Sequence, residues 1–353
     1  MNIKQYFHSS VKYLIPIALL GFVALCSRIP ALAEWYMCNC YPIIAAMFSS
    51  ISYILPFSLL DVLIIVVIVL FLGSIVMICM RRLSLRRWLK ISFLSILWLP
   101  VWFYMAWGIG YLRIDFHERF GIEAPEEDRE FFEAFVVRYI DSLNHAYLAN
   151  PYFDAKEIER EIETMYAKHR STLRLPHLYG WQRAKRTIMA PLITRMGVVG
   201  YFSPFTNEVH INDYDLPISW PYSLAHEKAH QFGIANEAEC NLYATVICTS
   251  SKHPLVRYSG YLSTMRYLLN NLQKISPDRY GEIAGQIDPK IIADYNSIGE
   301  HWAKALNPTL SAMQNKVYDT YLKANKQQSG ILSYSEMTSL LVAWELMRKT
   351  ATE

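Results

Sequence analysis

The 353-residue chain contains few cysteines and carries little net charge. Its six cysteines are too few for a disulfide framework, and the single Cys38-x-Cys40 pair lacks the second pair that would indicate a metal site. The formal net charge of +3 predicts no basic surface for nucleic acid, so we expect no nucleic-acid partner. No internal repeat and no low-complexity tract is present, which excludes repeat proteins.

Apolar residues are abundant, and they are concentrated before about residue 112. Residues 58–80 and residues 91–111 each form an apolar run long enough to cross the hydrocarbon core of a bilayer. The second run ends in the Trp and Tyr that are typical of a membrane interface. We therefore predict a membrane domain over residues 1–111, with about three transmembrane helices in contact with the lipid bilayer.

A shorter apolar run over residues 13–26 has two interpretations. Lys4 and Lys12 precede it, and Ala31-Leu32-Ala33 follows it with the pattern of a signal-peptide cleavage site. The run is either a short retained span or a cleaved signal peptide.

The loop over residues 81–90 predicts the orientation in the membrane. Its sequence, RRLSLRRWLK, has five basic residues and no acidic residue. Such loops remain on the cytoplasmic side. Residues 112–353 are therefore predicted to lie outside the cytoplasm.

Residues 112–353 have the composition of a globular domain. Phe131, Phe135, Tyr139, Leu143 and Tyr147 follow a helical stripe, and Ser333 with Glu336 has the spacing of a helix-capping box. Residues 207–212, NEVHIN, indicate a short strand. The predicted fold class is mainly α, with N-terminal transmembrane helices followed by an α+β domain that has a small sheet.

The sequence HEKAH at residues 226–230 indicates a zinc site. His226 and His230 are four residues apart, so on a helix both imidazoles can point at one Zn²⁺. Glu227 lies about 100° round the helix axis from His226, where it would not ligate but could take a proton from a water. Zn²⁺ lowers the pKa of water towards 7 and polarises a carbonyl, which is the chemistry of peptide hydrolysis.

A catalytic zinc site needs a third protein ligand. Gly233 is expected to end the first helix, and Asn236 is a suitable N-cap for a second helix whose first turn contains Glu237 and Glu239. Both glutamates are candidate ligands. The string HEKAHQFGIAN also matches HExxHxxGxxH except at its last position, where Asn236 replaces histidine and is a poor zinc ligand.

The string Asn236-Glu237-Ala238-x-x-Asn241 resembles the third-ligand helix of thermolysin-like gluzincins. The resemblance implies that Glu237 is the ligand, that Glu239 is a reserve, and that Asn241 accepts a hydrogen bond from a zinc-bound histidine. This chain has Asn241 where that pattern has aspartate, and its two helices are separated by fewer residues.

Longer segments, including GYFSPFTNEVHIN, HEKAHQFGIANEAECN and GILSYSEMTSLL, resemble a bacterial membrane protein family of unknown function. Its members have N-terminal spans and a zincin-like extracytoplasmic domain. The resemblance implies that the first apolar run is retained, that the chain lies in the cytoplasmic (inner) membrane, and that residues 112–353 are periplasmic. Lys228 departs from the apolar residue that is usual there, and it could mark a degenerate centre.

Two functions follow from these observations. The first is a membrane-anchored zinc metallopeptidase that cuts peptides or envelope proteins. For this function, Asn207, Val209 and Ile211 are predicted to form an edge strand that pairs with substrate, and Tyr258 to donate a hydrogen bond to the oxyanion. The alternative is a catalytically inactive zincin-fold envelope protein that acts as a binding or scaffold module. Glu227 favours the enzyme, because a structural zinc site does not require that carboxylate.

Overall fold

The computed structural model describes residues 3–122, 128–179, 182–325, 327 and 334–350. These residues form sixteen α-helices, one short 3-10 helix and one two-stranded sheet, so the prediction of a mainly helical chain with a small sheet is confirmed. The chain divides into two compact units. The first comprises residues 1–114, 176–182 and 203–208, and the second comprises residues 115–175, 183–202 and 209–353.

The N-terminal helices are strongly apolar. Three contain windows that are long and apolar enough to cross a membrane, and a fourth candidate span is a pair of helices bent by 40°. In the central helix, Leu59–Cys79, Asp61 is the one buried residue, and the apolar window is not buried inside the structure, as expected for a helix that faces lipid. The predicted set of about three apolar helices is found. These helices are α1 (Ile3–Arg28), the bent pair α2 (Pro30–Asn39) and α3 (Tyr41–Ile54), α4 (Leu59–Cys79) and α5 (Leu85–Ala106).

The second unit is built from helices that differ widely in how many of their residues are buried. They are α6 (Phe116–Phe120), α7 (Arg129–Ala146), α8 (Ala155–His169), α9 (Ala190–Met196), α10 (Trp220–Gln231), α11 (Glu237–Thr249), α12 (Pro254–Ile275), α13 (Tyr280–Ala284), α14 (Pro289–Ala305), α15 (Pro308–Ala324) and α16 (Tyr334–Thr350). The core forms where α11 packs against α10, α12 and α16, and α12 also packs against α7. Every residue of α11 from Ala238 to Cys248 is buried, because this helix is in the centre of the unit.

The predicted stripe on α7 faces this core. Phe135, Tyr139 and Leu143 are buried, whereas Phe131 is half-buried and the helix ends before Tyr147. Asp128 caps the helix by accepting a hydrogen bond from the Phe131 N–H at 3.0 Å. The predicted capping residue Ser333, before α16, lies outside the described residues.

The small sheet consists of β1 (Gly200–Ser203) and β2 (Glu208–Ile211), joined by a short turn. On the other side of β2, the Lys185 N–H donates to the Val209 carbonyl at 2.8 Å, and the Ile211 N–H donates to the Lys185 carbonyl at 3.4 Å. Both sides of β2 are therefore hydrogen-bonded. The prediction that Asn207, Val209 and Ile211 form an edge strand for substrate is wrong, and all three residues are buried.

The first residue of β2, Glu208, is part of the first unit and caps the N-terminus of α4. Its carboxylate accepts hydrogen bonds from the N–H groups of Leu59 and Leu60, both at 2.9 Å, and from the hydroxyls of Ser52 and Thr206 at 2.7 and 2.9 Å. A carboxylate satisfies the backbone N–H groups that a helix start leaves unpaired, and it interacts favourably with the helix dipole. The start of this apolar helix is therefore held by a buried acidic group.

Glu133 on α7 makes the stability of the second unit depend on pH. Its buried carboxylate accepts hydrogen bonds from Ser276, Arg129 and Arg279. The bond from Ser276, then that from Arg129, and the charge of Arg279 lower the pKa of Glu133 to about 2. Because the folded-state pKa lies below the unfolded value of about 4.3, the stabilisation is present above that pH and is lost as the pH falls towards 2.

The free energy of unfolding of Glu133→Gln is therefore expected to fall less than that of the wild type as the pH drops from about 4.3 to about 2. Urea denaturation at several pH values, followed by tryptophan fluorescence, measures it. Glu130→Gln on the exposed side of the same helix is the control, and it should retain the wild-type pH dependence. Equal pH dependence in all three proteins would contradict the assignment.

Candidate metal centre

The HEKAH segment forms the second half of α10. The helix ends at Gln231, and Gly233 adopts a left-handed conformation with φ +83°, which glycine favours. Asn236 then caps α11 by accepting a hydrogen bond from the Glu239 N–H at 2.9 Å. The predicted helix break and the predicted cap both occur, and they turn the chain so that Glu237 faces the two histidines.

His226, His230 and Glu237 bring their ligand atoms together. The Nε2 atom of His226 lies 3.2 Å from Glu237 Oε2, and the Nε2 atom of His230 lies 3.5 Å from Glu237 Oε1. One ligand atom from each residue lies within 4.8 Å of the others. These three residues therefore form a possible metal-binding triad.

The second ring nitrogen of each histidine is occupied by the protein. His226 Nδ1 donates to Asn241 Oδ1 at 3.0 Å, and His230 Nδ1 donates to the Ile234 carbonyl at 2.8 Å. Each bond places the proton on Nδ1 and leaves the Nε2 lone pair directed at the shared point. Two imidazole nitrogens and one carboxylate are a donor set that fits a divalent transition metal such as Zn²⁺.

Charge is unevenly distributed within the triad. Burial alone would raise the pKa of Glu237, but the neighbouring His230 and His226 lower it to about 2, so this carboxylate is an anion. Burial lowers the pKa of His230. Burial also acts to lower the pKa of His226, but the hydrogen bond to Glu237 and its charge outweigh burial and raise it. Because metal ligands must be deprotonated, a metal ion competes with protonation of His226.

Glu227, the residue after His226 on α10, lies close enough to the triad for the charges of His226 and Glu237 to act on it. It is buried, and the backbone of Phe202 in β1 donates a hydrogen bond to its carboxylate. A side chain at Gly200 would come within 3.0 Å of Glu227 Cγ, so glycine is needed for this close approach of the strand. Burial, reinforced by the charge of Glu237 and opposed by that of His226, raises the pKa of Glu227 to about 7. A group with a pKa near neutrality can both accept and return a proton.

Two other predicted site residues have their polar groups bound to residues outside the triad. Glu239, the reserve ligand, forms a buried ion pair with Arg119 of α6 and is not one of the clustered ligands. The Tyr258 hydroxyl donates to Asp294 Oδ2 at 2.6 Å instead of facing the triad. The prediction that Tyr258 stabilises the oxyanion is therefore corrected, because its hydrogen-bonding group is directed at α14.

Lys228 points away from the triad. Its side chain is completely buried, and its Nζ pairs with Glu163 and, at 3.7 Å, with Glu159, both on α8. Lys228 therefore holds α10 against α8. Its charge is matched by two carboxylates of that helix, and Lys228 is not one of the clustered ligands.

Sequence reasoning missed Tyr318. This residue of α15 donates its hydroxyl hydrogen to Glu237 Oε1 at 2.6 Å. It is far from HEKAH in sequence, and the chain contains 24 tyrosines, so no spacing distinguished this one. Only the packing of α15 near α11 places it at the triad.

A family model described as "Protein of unknown function (DUF3810)" matches residues 36–342. The chain belongs to the DUF3810 family. The matched residues include the three clustered ligands, Glu227 and Tyr318, so the whole site lies within the DUF3810 region. No curated protein and no solved structure matches the chain. The resemblance to a family of unknown function is confirmed, and the function of this DUF3810 protein has to be argued from the chemistry of its own residues.

Proposed function

We propose that the protein is a membrane-anchored, zinc-dependent metallopeptidase with a zincin-like domain that hydrolyses peptide bonds of envelope or other extracytoplasmic proteins. The observation that carries this proposal is the convergence of His226, His230 and Glu237 beside a buried Glu227 that is not one of the ligands. A structural metal site does not need an additional carboxylate of this kind. Three protein ligands with one open position are typical of catalytic zinc sites.

The residues of the chain have separate tasks in this proposal. Zinc, when bound, polarises the scissile carbonyl and makes water more acidic. Glu227 accepts the proton of the attacking water at its carboxylate and then delivers it to the leaving amine nitrogen. The hydrogen bond from Phe202 keeps that carboxylate in place. Asn241 and the Ile234 carbonyl hold the imidazoles in the orientation that ligation requires.

We further propose that the apolar helices lie in the cytoplasmic membrane with the basic loop 81–90 on the cytoplasmic side. The triad belongs to the second unit, which follows α5 in sequence. This orientation would place the triad outside the cytoplasm. Substrates would then be proteins or peptides of the cell envelope.

The zinc content of the protein and its variants tests the proposed metal centre directly. The full chain, purified in detergent, is expected to contain about one zinc per chain by elemental analysis. His226→Ala and Glu237→Gln should lose the zinc, because each removes one of three ligands. His145→Ala, a histidine with an exposed side chain, is the control and should retain it.

Hydrolysis is followed with a proteome-derived peptide library analysed by mass spectrometry. A chelator should abolish cleavage, and added zinc should restore it. Absence of zinc from folded wild-type protein would overturn the proposal. A zinc-loaded wild-type protein that cleaves no peptide would instead support the binding or scaffold module.

A further inference from the structure

The helix α15 is weakly buried but reaches the triad. Among its residues only Leu322 is fully buried, and Met313 and Val317 are 61% and 70% exposed. Tyr318 is nevertheless half-buried, because its side chain turns inward to Glu237. The helix therefore contributes little to the hydrophobic core while placing one polar group at the proposed metal centre.

α15 packs against α9, and contacts of α14 and of the connection between α14 and α15 also hold this part of the chain. His301 of α14 stacks on Tyr214 with ring centroids 4.0 Å apart, and its Nε2 lies 2.7 Å from the Tyr214 carbonyl. The Asn307 N–H, in the connection, donates to the Arg195 carbonyl at 2.8 Å. These contacts hold the start of α15, and together with its packing on α9 they place the Tyr318 hydroxyl at Glu237.

The hydrogen bond occupies one of the two oxygens of Glu237. Tyr318 holds Oε1 at 2.6 Å, while Oε2 lies 3.2 Å from His226 Nε2. A carboxylate that rotates freely would present its oxygens in many orientations. A hydroxyl that binds one oxygen restricts that rotation, and hydrogen bonds to ligand groups commonly tune metal affinity in this way.

We propose that Tyr318 is a positioning residue of the metal centre: it orients Glu237 for ligation, and α15 is thereby part of the site. This inference rests on the proposed function only in taking His226, His230 and Glu237 as the metal ligands. Tyr318 acts through Glu237 and has no assigned contact with substrate.

Tyr318→Phe removes the hydroxyl and retains the ring. We expect the dissociation constant for zinc to rise about 10- to 100-fold, because an outer hydrogen bond to a ligand is lost. The affinity is measured on the full chain in detergent by competition with a chromophoric chelator. Tyr321→Phe is the matched control, because Tyr321 is on the same helix and its ring lies 6.1 Å from that of Tyr318. This control should bind zinc as tightly as the wild type.

Two further measurements separate positioning from a general structural role. The melting temperature of the metal-free protein should be the same in Tyr318→Phe and in Tyr321→Phe, whereas the increase on adding a fixed zinc concentration should be smaller in Tyr318→Phe. The visible absorption bands of the cobalt-substituted protein should shift in Tyr318→Phe, because the coordination of Glu237 changes.

A failure of the role of Tyr318 can be distinguished from a failure of the proposed function. If wild type and Tyr318→Phe bind zinc equally tightly while His226→Ala does not bind it, the metal centre stands and the role of Tyr318 is wrong. A lower melting temperature of metal-free Tyr318→Phe with unchanged zinc affinity would also overturn it. If the wild type binds no zinc, the proposed function itself fails.

Discussion

Replacing Glu227 with glutamine is expected to lower the hydrolysis rate by a factor of about 10²–10⁴ and to leave the zinc content unchanged. Glutamine has nearly the same shape as glutamate and can still accept the hydrogen bond from Phe202, but it cannot take a proton from water. The zinc content should remain because Glu227 is not one of the three clustered ligands. The rate is measured on the peptide library with zinc-loaded protein.

The same variant is expected to have a different pH profile of kcat/KM. In the wild type, kcat/KM should fall as the pH drops through the pKa of Glu227, because the protonated carboxyl cannot act as a base. The residual activity of Glu227→Gln should lack this dependence. Glu157→Gln, which alters a half-exposed glutamate of α8, is the control and should retain both the rate and the profile. A wild-type rate in Glu227→Gln would show that Glu227 is not the base.

The second large effect is expected at the buried contact of Lys228. The double variant Glu159→Gln/Glu163→Gln removes both carboxylates and leaves a cation whose side chain is 0% exposed. Loss of the partners of a buried charge destabilises a protein by about 3–5 kcal/mol. Adding Lys228→Met to the double variant should recover most of this loss, because the replacement is apolar and of similar length.

Urea denaturation followed by tryptophan fluorescence measures the free energy of unfolding of these variants. Lys228→Met should retain zinc, because Lys228 faces α8 and not the triad. A double variant as stable as the wild type would contradict the assignment of this contact. Loss of zinc from a folded Lys228→Met protein would show that the lysine supports the metal centre.

The local structure around the site can be predicted from the sequence, because it depends on residues that are close together in the chain. Two histidines four residues apart face one side of any helix that contains them. Gly233 and Asn236 end one helix and start the next through their own backbone conformation and side chain. The helix break and the cap bring the first turn of the second helix back to the histidines, and the resemblance to the gluzincin helix favours Glu237 over Glu239 in that turn.

The errors all concern contacts between distant segments. The strand at NEVHIN was predicted, but its pairing with Lys185 depends on a segment with no strand pattern of its own. Tyr258 and Tyr318 have the same hydroxyl group, and only packing directs one hydroxyl to Asp294 and the other to Glu237. Glu239, the reserve ligand, is paired with Arg119, a residue far from it in sequence.

Local sequence patterns are enough to predict the apolar helices, the HEKAH helix, its glycine end and the capped helix that follows, because hydrophobic periodicity and capping act within a few residues. Only tertiary packing decides which hydroxyl holds the Glu237 carboxylate, which partner Glu239 finds and where Lys228 is paired. Those outcomes depend on side chains brought together from α6, α8 and α15, and contacts at such sequence separation leave no local pattern to read.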